Sequence, residues 1–438
     1  MKKKAISLLF ITFLLGIPLF SMVLLPVNAT TGWSTAVNIT DDPLDDFQSV
    51  ITYDPTQSRT WHVAWVKNFG EVGIENEIMY TNEFLYTTIK VQITNDVIKD
   101  WNPMIDMDNN GVVHIVWVRE IDATHSDIFY TNSTNWAKYF NISRQEKGTK
   151  NWQPTLVVEK DTGVPHIAWV VGEQEPPGDI YYRKDISGAL MQIVQTASWS
   201  LQPSIDLDAS KNVHVVWSEL DMSVGDMDVR YTNSTMWPAM DAASYLNVSD
   251  IIENQEDDLR PDIAVDKLGR PHVTYYQDLT PNDYIYFAFS PNANNTWFWN
   301  TGDHTPRNAD CKNPSIKVST KANPVIIYQG KPEQALDNDI FAIDYNGSWA
   351  PLDISNNAYT DQLEWSSIGA LDIDSTDNLY ATYYSNVGAA APNWEVFVVE
   401  GTIQGEGVPA FEILYLMLAI CSVALMWIFY QRKSIKIP

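Results

Sequence analysis

Val113-His114-Ile115-Val116-Trp117 is the stretch that decides the fold, because close copies of it recur along the chain. Five copies keep the histidine, and two later copies replace it. The second residues of the copies, taken as markers, are at positions 62, 114, 166, 214, 272, 325 and 380. Neighbouring markers lie 48 to 58 residues apart, so the chain consists of seven repeats of one unit.

The segments around each marker repeat as well. A Pro-x-Ile-Asp segment precedes the marker, as at 103–106, and an acidic residue with an aromatic strand follows it, as at 127–130. A segment that begins with Trp closes the unit, as at 136–143. Each unit therefore predicts four short β-strands separated by turns. We call their positions a, b, c and d, and the marker lies in strand b.

Seven units of four strands predict an all-β fold, a seven-bladed β-propeller. The seventh unit has no d strand of its own, whereas residues 32–40 resemble a d strand without a preceding unit. We expect this N-terminal strand to complete the last blade and close the ring. An open solenoid would instead need polar caps at its ends. No linker divides residues 30–403, which predicts a single ectodomain.

The two ends of the chain predict export and membrane anchoring. Residues 1–29 resemble a cleaved signal peptide, with an uncleaved anchor as the alternative. Residues 404–412 would form a short juxtamembrane linker, and the uncharged run 413–430 a transmembrane helix. Because basic residues follow this run, we expect the tail 431–438 to be cytoplasmic. The large N-terminal domain is then extracellular, on a single-pass anchor in the cell membrane.

Composition excludes several classes of protein. The 438 residues are 45% hydrophobic and 12% aromatic, which rules out a disordered, collagen-like or coiled-coil chain. A formal net charge of −27 opposes any interaction with the phosphates of nucleic acid. The two cysteines cannot form a disulfide scaffold, because Cys421 lies in the predicted transmembrane helix and Cys311 lies outside it.

Seven Asn-x-Ser/Thr sequons fit an exported glycoprotein. Two of them belong to a repeated Tyr-Thr-Asn-Ser-Thr segment, which predicts a surface loop at both places. The predicted glycosylation sites are Asn38, Asn132, Asn141, Asn233, Asn247, Asn294 and Asn346.

The histidines at five markers allow two interpretations. They could form a metal or catalytic ring, but metal ligands must converge on one ion and each of these residues belongs to a different blade. We favour buried histidines that hydrogen-bond backbone or a carboxylate within their own blade. The residues are His62, His114, His166, His214 and His272.

One acidic segment is a candidate cofactor site. The run 106–111 matches the first half of a calcium loop, with Asp106, Asp108 and Asn110 as metal ligands, but residue 117 is Trp where an EF-hand requires Glu. A turn that joins strands a and b is the alternative. No cofactor is certain from the sequence, and calcium is the only one indicated.

The loops between strands b and c are the most acidic part of the chain. Across the first six of these loops there are 18 Asp or Glu residues and three Lys or Arg residues. They indicate either a face that binds cations or a basic ligand, or a well-solvated acidic surface. The sequence contains no Gly-x-Ser-x-Gly, His-Glu-x-x-His or phosphate-loop motif.

The repeated phrases, from Pro-x-Ile-x-x-Asp through Val-His-Val-Val-Trp to Asp-Ile-Tyr-Tyr, resemble the repeats of the sialidase-like β-propeller superfamily over residues 40–400. That resemblance implies the fold, but the Ser-x-Asp-x-Gly-x-Thr-Trp boxes of sialidases are absent, so it assigns no catalytic residue. Residues 408–412 with the following apolar run resemble the Pro-Gly-Phe sorting tails of archaeal surface proteins, with Ala410 in place of glycine. This second resemblance implies an archaeal source.

These observations predict a membrane-anchored surface propeller that binds a glycan or protein ligand outside the cell without catalysis. Two alternatives remain open. One is a glycoside-processing enzyme with a sialidase-like fold, and the other is a structural component of the cell envelope.

Overall fold

A computed structural model describes the part of the chain that contains the repeats. Regular secondary structure in the described ranges consists of thirty β-strands. The described residues are 31–71, 74–143, 149–172, 178–194, 198–237, 245–249, 256–279, 282–291, 298–299, 310–331, 338–344, 351–355, 360–363, 369–387 and 393–403.

Two short strands precede the first complete unit, β1(Thr31–Trp33) and β2(Val37–Asn38). The first three blades are four-stranded antiparallel sheets whose strands lie in sequence order from a to d. Their strands are β3(Asp45–Tyr53), β4(Trp61–Glu71), β5(Ile74–Asn82), β6(Val91–Gln92), β7(Asp100–Met107), β8(Val113–Asp122), β9(His125–Asn132), β10(Phe140–Asn141), β11(Asn151–Val158), β12(Pro165–Val171), β13(Asp179–Lys184) and β14(Leu190–Gln192).

Blades four to six repeat the same order. Their strands are β15(Ser200–Leu207), β16(Val213–Asp221), β17(Asp226–Asn233), β18(Leu246–Asn247), β19(Asp257–Val265), β20(Pro271–Asp278), β21(Tyr284–Phe289), β22(Phe298–Trp299), β23(Asp310–Val318), β24(Pro324–Lys331), β25(Asp339–Asp344) and β26(Leu352–Asp353).

The seventh blade combines both ends of the described chain. Its a position is divided between β27(Thr360–Gln362) and β28(Leu371–Ile373), which both pair with β29(Asn378–Asn386). Next comes β30(Trp394–Ile403), and β1 and β2 pair with β30 on its outer side. The predicted closure by the N-terminal strand is therefore confirmed.

Side-chain bonds show that β2 takes the role of a d strand. In blades one and two, the hydroxyls of Thr94 and Ser143 accept from the N–H groups of Ile78 and Ile128. At the ring closure the Thr40 hydroxyl accepts from the N–H of Val396 in the same way, at 2.9 Å. The a strands of neighbouring blades lie side by side around the ring, and β28 lies beside both β23 and β3. The seven-bladed propeller is thus closed.

The b strands are buried on both faces, which explains their nearly continuous apolar sequence. Trp65, Trp117, Trp169 and Trp217 have no exposed surface. Buried aromatic residues of this size contribute much of the apolar area that stabilises a core. The repeated pentapeptide is therefore the core of each blade.

Six a strands contain a β-bulge at the same place, and the bulge residue has a positive φ of 49° to 56°. This conformation is uncommon for residues other than glycine. The side chains compensate by bonding to the next blade: the Gln48 carbonyl accepts from the N–H of Asn102 at 2.7 Å, and Gln153 accepts from the N–H of Gln202 at 2.8 Å. The six residues are Gln48, Asn102, Gln153, Gln202, Arg260 and Asn313.

The predicted ends lie outside the described residues. These are the signal peptide, the linker 404–412, the transmembrane helix 413–430 and the tail 431–438. The described residues contain no helix with the length and apolarity required to cross a bilayer. The repeats form a compact unit over Thr31–Tyr345 and Trp349–Ile403.

Candidate functional site

The marker histidines form a structural network that we call the histidine frame. His166 bonds through Nδ1 to the Tyr182 hydroxyl at 2.7 Å and through Nε2 to Glu159 at 3.1 Å. Three other blades place a tyrosine on strand c against Nδ1 in the same way, at 2.5 to 2.8 Å; these pairs are His62 with Tyr80, His114 with Tyr130 and His214 with Tyr231.

Blade five follows this pattern only in part. His272 approaches Asp266 at 3.4 Å and packs against Phe287 and Phe289. Burial lowers the pKa of His166, His272 and their counterparts in blades two and four, which keeps these rings neutral. The predicted burial is confirmed, and a carboxylate of the same blade lies 3.1 to 4.0 Å from Nε2 of all five histidines, but the bond to a tyrosine hydroxyl in four blades was not predicted. No group of three His, Cys, Asp or Glu side chains in the described part of the chain is arranged to hold a metal ion.

A second repeated contact joins strands a and b. The indole N–H of Trp65 donates to Asp46 at 2.6 Å, and that of Trp117 donates to Asp100 at 2.9 Å. A cation completes each pair, with Lys67 beside Asp46 and Arg119 beside Asp100. Burial nevertheless raises the pKa of Asp46 to about 7, against the opposing charge of Lys67. These acids hold the core tryptophans in place.

The repeated Tyr-Thr-Asn-Ser-Thr segment also has a structural role. The Asn233 amide donates to the Tyr231 hydroxyl at 3.1 Å, while its carbonyl accepts from the N–H of Thr235 at 3.0 Å. The equivalent Asn132 makes the same bonds and is half-buried. The segment therefore positions the histidine frame.

The other predicted glycosylation sites have varied surroundings. Asn141 donates to Asp127 at 2.7 Å. The carbonyls of Asn38 and Asn247 accept from backbone N–H groups two residues later, and Asn294 and Asn346 lie outside the described residues. Glycosylation at the seven sequons stays a prediction.

The candidate calcium ligands point to different partners. Asp106 accepts from the N–H of Val158 at 2.7 Å and pairs with Lys160 at 2.5 Å, both in the next blade. Asp108 accepts from the N–H groups of Asn110 and Val112, which closes the turn between strands a and b. Because the amide of Asn110 also donates to Asp108, the three side chains do not offer their oxygens to a common point. The described geometry fits the turn better, and calcium at these residues stays a prediction.

The propeller axis contains a cavity of about 280 Å³ that is lined by residues of the a strands. A second cavity of about 400 Å³ lies on the side of the turns between strands a and b, and the two share Val157, Lys160, Asp206 and Val265. The two cavities are therefore neighbours, and the second lies nearer to those turns. The walls of the first cavity combine aliphatic side chains such as Ile51 with charged groups.

Seven equivalent positions, one from each a strand, surround this cavity, and we call them the axial ring. Each lies opposite a marker residue of its own blade. All seven line the cavity. In ring order they are Thr52, Asp106, Val157, Asp206, Ala264, Lys317 and Asp372.

Three ring carboxylates join neighbouring blades, namely Asp106, Asp206 and Asp372, and Asp206 does so by accepting from the N–H of Val265 in blade five. An a strand is an edge strand, so its outward N–H groups need acceptors. Asp106 accepts from the N–H of Val158 in blade three. Asp372 accepts from the N–H of Tyr53 and from the hydroxyl of Thr52, both in blade one and each at 3.0 Å. Asp262, which lies two residues before the ring member Ala264, accepts from the hydroxyls of Ser204 and Ser315 and from the N–H of Ile316. Asp106, Asp262 and Asp372 each have at least one side-chain partner besides their backbone donors.

Asp206 and Lys317 keep bonding capacity. Among the described residues, the two carboxylate oxygens of Asp206 accept from backbone alone, from the N–H of Leu207 at 2.8 Å and from that of Val265 in the next blade at 2.7 Å. Burial raises the pKa of Asp206 to about 6, although Lys317 opposes the shift. Among the described residues, no acceptor is within hydrogen-bond distance of Lys317 Nζ, and its nearest carboxylate is that of Asp372 at 3.8 Å.

Lys317 is the positively charged member of the axial ring. Burial alone would lower its pKa, but the surrounding carboxylates, first that of Asp372, raise it, so the ammonium stays charged. About a third of its side chain remains accessible to solvent.

Sequence reasoning missed this pair. The repeated Pro-x-Ile-Asp segment shows the register of Asp206, and replacement of Asp by Lys at 317 and by Ala at 264 is visible as a departure from the repeat. The signal was therefore the variation within a repeat.

Comparisons with known proteins find similar solved structures of very different sequence. No protein-family model matches it. No curated protein matches it either. Similar solved structures include a polysaccharide lyase (10% identity, TM-score 0.49, covering 81% of this chain and 90% of that one) and a Hadza microbial sialidase (10%, 0.46, 79% and 74%). A protein of unknown function from Dyadobacter fermentans is also similar (8%, 0.47, 85% and 99%). Likeness at this level transfers no activity to this chain.

Proposed function

We propose that this chain is a cell-surface β-propeller, anchored by one C-terminal membrane helix, that binds a glycan in its axial cavity without catalysis. The observation that supports the proposal is the axial cavity of about 280 Å³, together with the neighbouring cavity of about 400 Å³ that shares four of its lining residues. Small-molecule sites commonly enclose roughly 300–1,000 Å³. The space is sufficient for a sugar unit and its neighbour.

The cavity walls match the chemistry of a sugar. A pyranose has hydroxyl groups around its edge and C–H groups on its faces, so it needs polar and apolar surface together. Carboxylate and ammonium groups of the axial ring can bond the hydroxyls, and Ile51, Met104 and Ile205 provide apolar contacts. Placing the polar groups on rigid strands reduces the ordering cost of binding.

The surface location is supported by the sequence. The predicted signal peptide and transmembrane helix place residues 30–403 outside the cell. The acidic charge of the chain keeps such a domain soluble and disfavours anionic partners.

A cavity-filling variant tests the site. Val157 belongs to the axial ring, and Val157→Trp would place an indole in the cavity. We expect the full chain to capture one class of oligosaccharide on a glycan array and the variant to lose that signal. Val97→Trp is the matched control, because Val97 is 71% exposed and lies outside the cavity. Capture that survives Val157→Trp would contradict the proposal.

A glycoside-processing enzyme is the second candidate, and one observation favours it. Asp206, with a pKa of about 6, is partly protonated near neutrality and lies in a cavity that also holds Asp106 and Asp372. A protonated carboxyl with carboxylates nearby is the pairing that glycosidases use. Turnover of fluorogenic glycosides that is lost in Asp206→Asn would establish catalysis, whereas inactivity on a broad panel would remove this candidate.

A further inference from the structure

We propose that Asp206 and Lys317 together hold two adjacent hydroxyl groups of one neutral sugar, with the ammonium donating to one oxygen and the carboxylate accepting from its neighbour. This inference rests on the proposed glycan-binding function. It assigns the ligand class and the two residues that recognise it.

The position of the two residues supports the pairing. Asp206 on β15 and Lys317 on β23 occupy the same register of the axial ring, because they lie opposite the markers His214 and Val325. The only ring member between them is Ala264, whose methyl group leaves space that a larger side chain would fill. The two charges therefore face a common gap, on blades four and six.

The two residues are close enough to influence each other without forming an ion pair. The charge of Lys317 lowers the pKa of Asp206 against the larger effect of burial, and the charge of Asp206 raises that of Lys317. No contact of 4.0 Å or less joins their charged atoms in the described structure, since the nearest carboxylate to Lys317 Nζ belongs to Asp372. A ligand placed between them would bond both.

Three other carboxylates line the cavity, Asp106 and Asp372 of the axial ring and Asp262 next to the ring, and each already has side-chain partners. Asp106 pairs with Lys160, and Asp372 accepts from two groups of blade one. Asp262 accepts from two hydroxyls and from the backbone. Among the described residues, Asp206 has no side-chain hydrogen bond and Lys317 has only the ion pair with Asp372 at 3.8 Å, so the anchoring function is assigned to Asp206 and Lys317.

A neutral diol fits this pair better than an ion does. A carboxylate ligand would be repelled by Asp206 and a cationic ligand by Lys317, whereas a hydroxyl can donate to the first and accept from the second. Hydrogen bonds to charged groups are stronger than those between neutral groups. Two adjacent hydroxyls use both residues at once.

The test uses methyl glycosides of glucose, galactose and mannose, with deoxy analogues that lack one ring hydroxyl. Binding to the full chain in detergent is measured by ligand-observed NMR and titration calorimetry. We expect at least one glycoside to bind and Asp206→Asn and Lys317→Met each to weaken it by about 10-fold or more. Removing one anchored hydroxyl from the sugar should cost about as much. Asp278→Asn and Lys331→Met, both at exposed positions, should bind like the wild-type chain.

The outcomes separate the two proposals. If Val157→Trp abolishes binding while Asp206→Asn and Lys317→Met retain it, the sugar lies in the cavity without this anchor, which overturns the inference and leaves the proposed function. If none of the glycosides binds and no glycan is captured on the array, both are overturned. Thermal unfolding of each variant establishes that a loss of binding does not come from a loss of fold.

Discussion

The histidine frame and the axial ring occupy neighbouring layers of the same sheets, yet they differ in how strictly they repeat. Between strands b and c, four blades place a histidine against a tyrosine with Nδ1-to-hydroxyl distances of 2.5 to 2.8 Å. On strand a, directly opposite each marker, the seven residues include three acids, one lysine, one hydroxyl and two small apolar side chains.

The difference follows from what each layer contacts. The frame is buried within a blade, where a tyrosine hydroxyl bonds Nδ1 and a carboxylate lies 3.1 to 4.0 Å from Nε2, and this one solution serves four blades. The ring faces a cavity, where a side chain can bond another blade, water or a ligand. Uniformity thus marks the structural layer, and variation marks the layer that is free to recognise something.

The largest expected effect is a loss of stability where the N-terminal segment closes the ring. Ile39 is 2% exposed in the N-terminal segment that completes blade seven. Ile39→Asp would bury an unpaired carboxylate, and we expect it to destabilise the protein by more than about 4 kcal/mol. Val37→Asp at a 41% exposed position of the same N-terminal segment is the control and should cost less than about 1 kcal/mol. Thermal unfolding followed by circular dichroism measures both; equal effects would show that the strand does not close the ring.

A smaller effect is expected where a carboxylate joins three blades. Asp262 accepts from the hydroxyls of Ser204 and Ser315 and from the N–H of Ile316. Asp262→Ala leaves these donors without an acceptor, and we expect a loss of about 2–4 kcal/mol in the free energy of unfolding. Asp262→Asn keeps one carbonyl oxygen and should lose less. An alanine variant as stable as the wild-type chain would contradict the assigned joining role.

Within the frame, a single histidine should matter less and should leave ligand binding intact. His166→Leu removes the bonds to Tyr182 and Glu159, and we expect a cost of about 2 kcal/mol in denaturant unfolding. Glu159 retains Lys184 and Lys211 as partners, which limits the loss. The folded variant should bind sugar with wild-type affinity. A change in affinity larger than the change in folded fraction would show that the two layers are coupled.

Much of the fold was predictable because the repeats report local physics. The four strands of each unit, the closure by residues 32–40 and the buried histidines all follow from periodicity and polarity within about 50 residues. The same reasoning grouped Asp106 with Asp108 as metal ligands. The structure gives them separate roles, because strand β7 ends between them and Asp106 reaches into the next blade.

The candidate site was not predictable in the same way. Asp206 and Lys317 come together only because two blades place equivalent registers around one axis, and two whole repeats separate them in the sequence. The sequons show the reverse case: Asn233 matches a surface motif, but its amide is 5% exposed and bonded to Tyr231. A short motif does not show whether its side chains face solvent or the core.

The smallest predicted effect is a gain of stability in blade five, which lacks the tryptophan and the cation that contact the equivalent aspartate in blades one and two. Asp258 corresponds to Asp46 of blade one, but tyrosine replaces the tryptophan donor at 275, and Gln277 stands where blade one has a lysine. Burial therefore raises the pKa of Asp258 to about 8. The unfolded chain ionises this group near pH 4 and the folded chain does not, so the group reduces stability increasingly as the pH rises from about 4 to 8.

Removal of the ionisable group at 258 should abolish that loss. We expect Asp258→Asn to be more stable than the wild-type chain by about 1–2 kcal/mol at pH 8.5 and equal to it at about pH 4. Urea unfolding at the two pH values measures the difference. Asp278→Asn, which removes an exposed carboxylate of the same blade, should change neither value. If Asp258→Asn were destabilising at both pH values, the Asp258 carboxyl would have to be a stabilising partner within its blade, and the pH-dependent loss of stability assigned to it would be wrong.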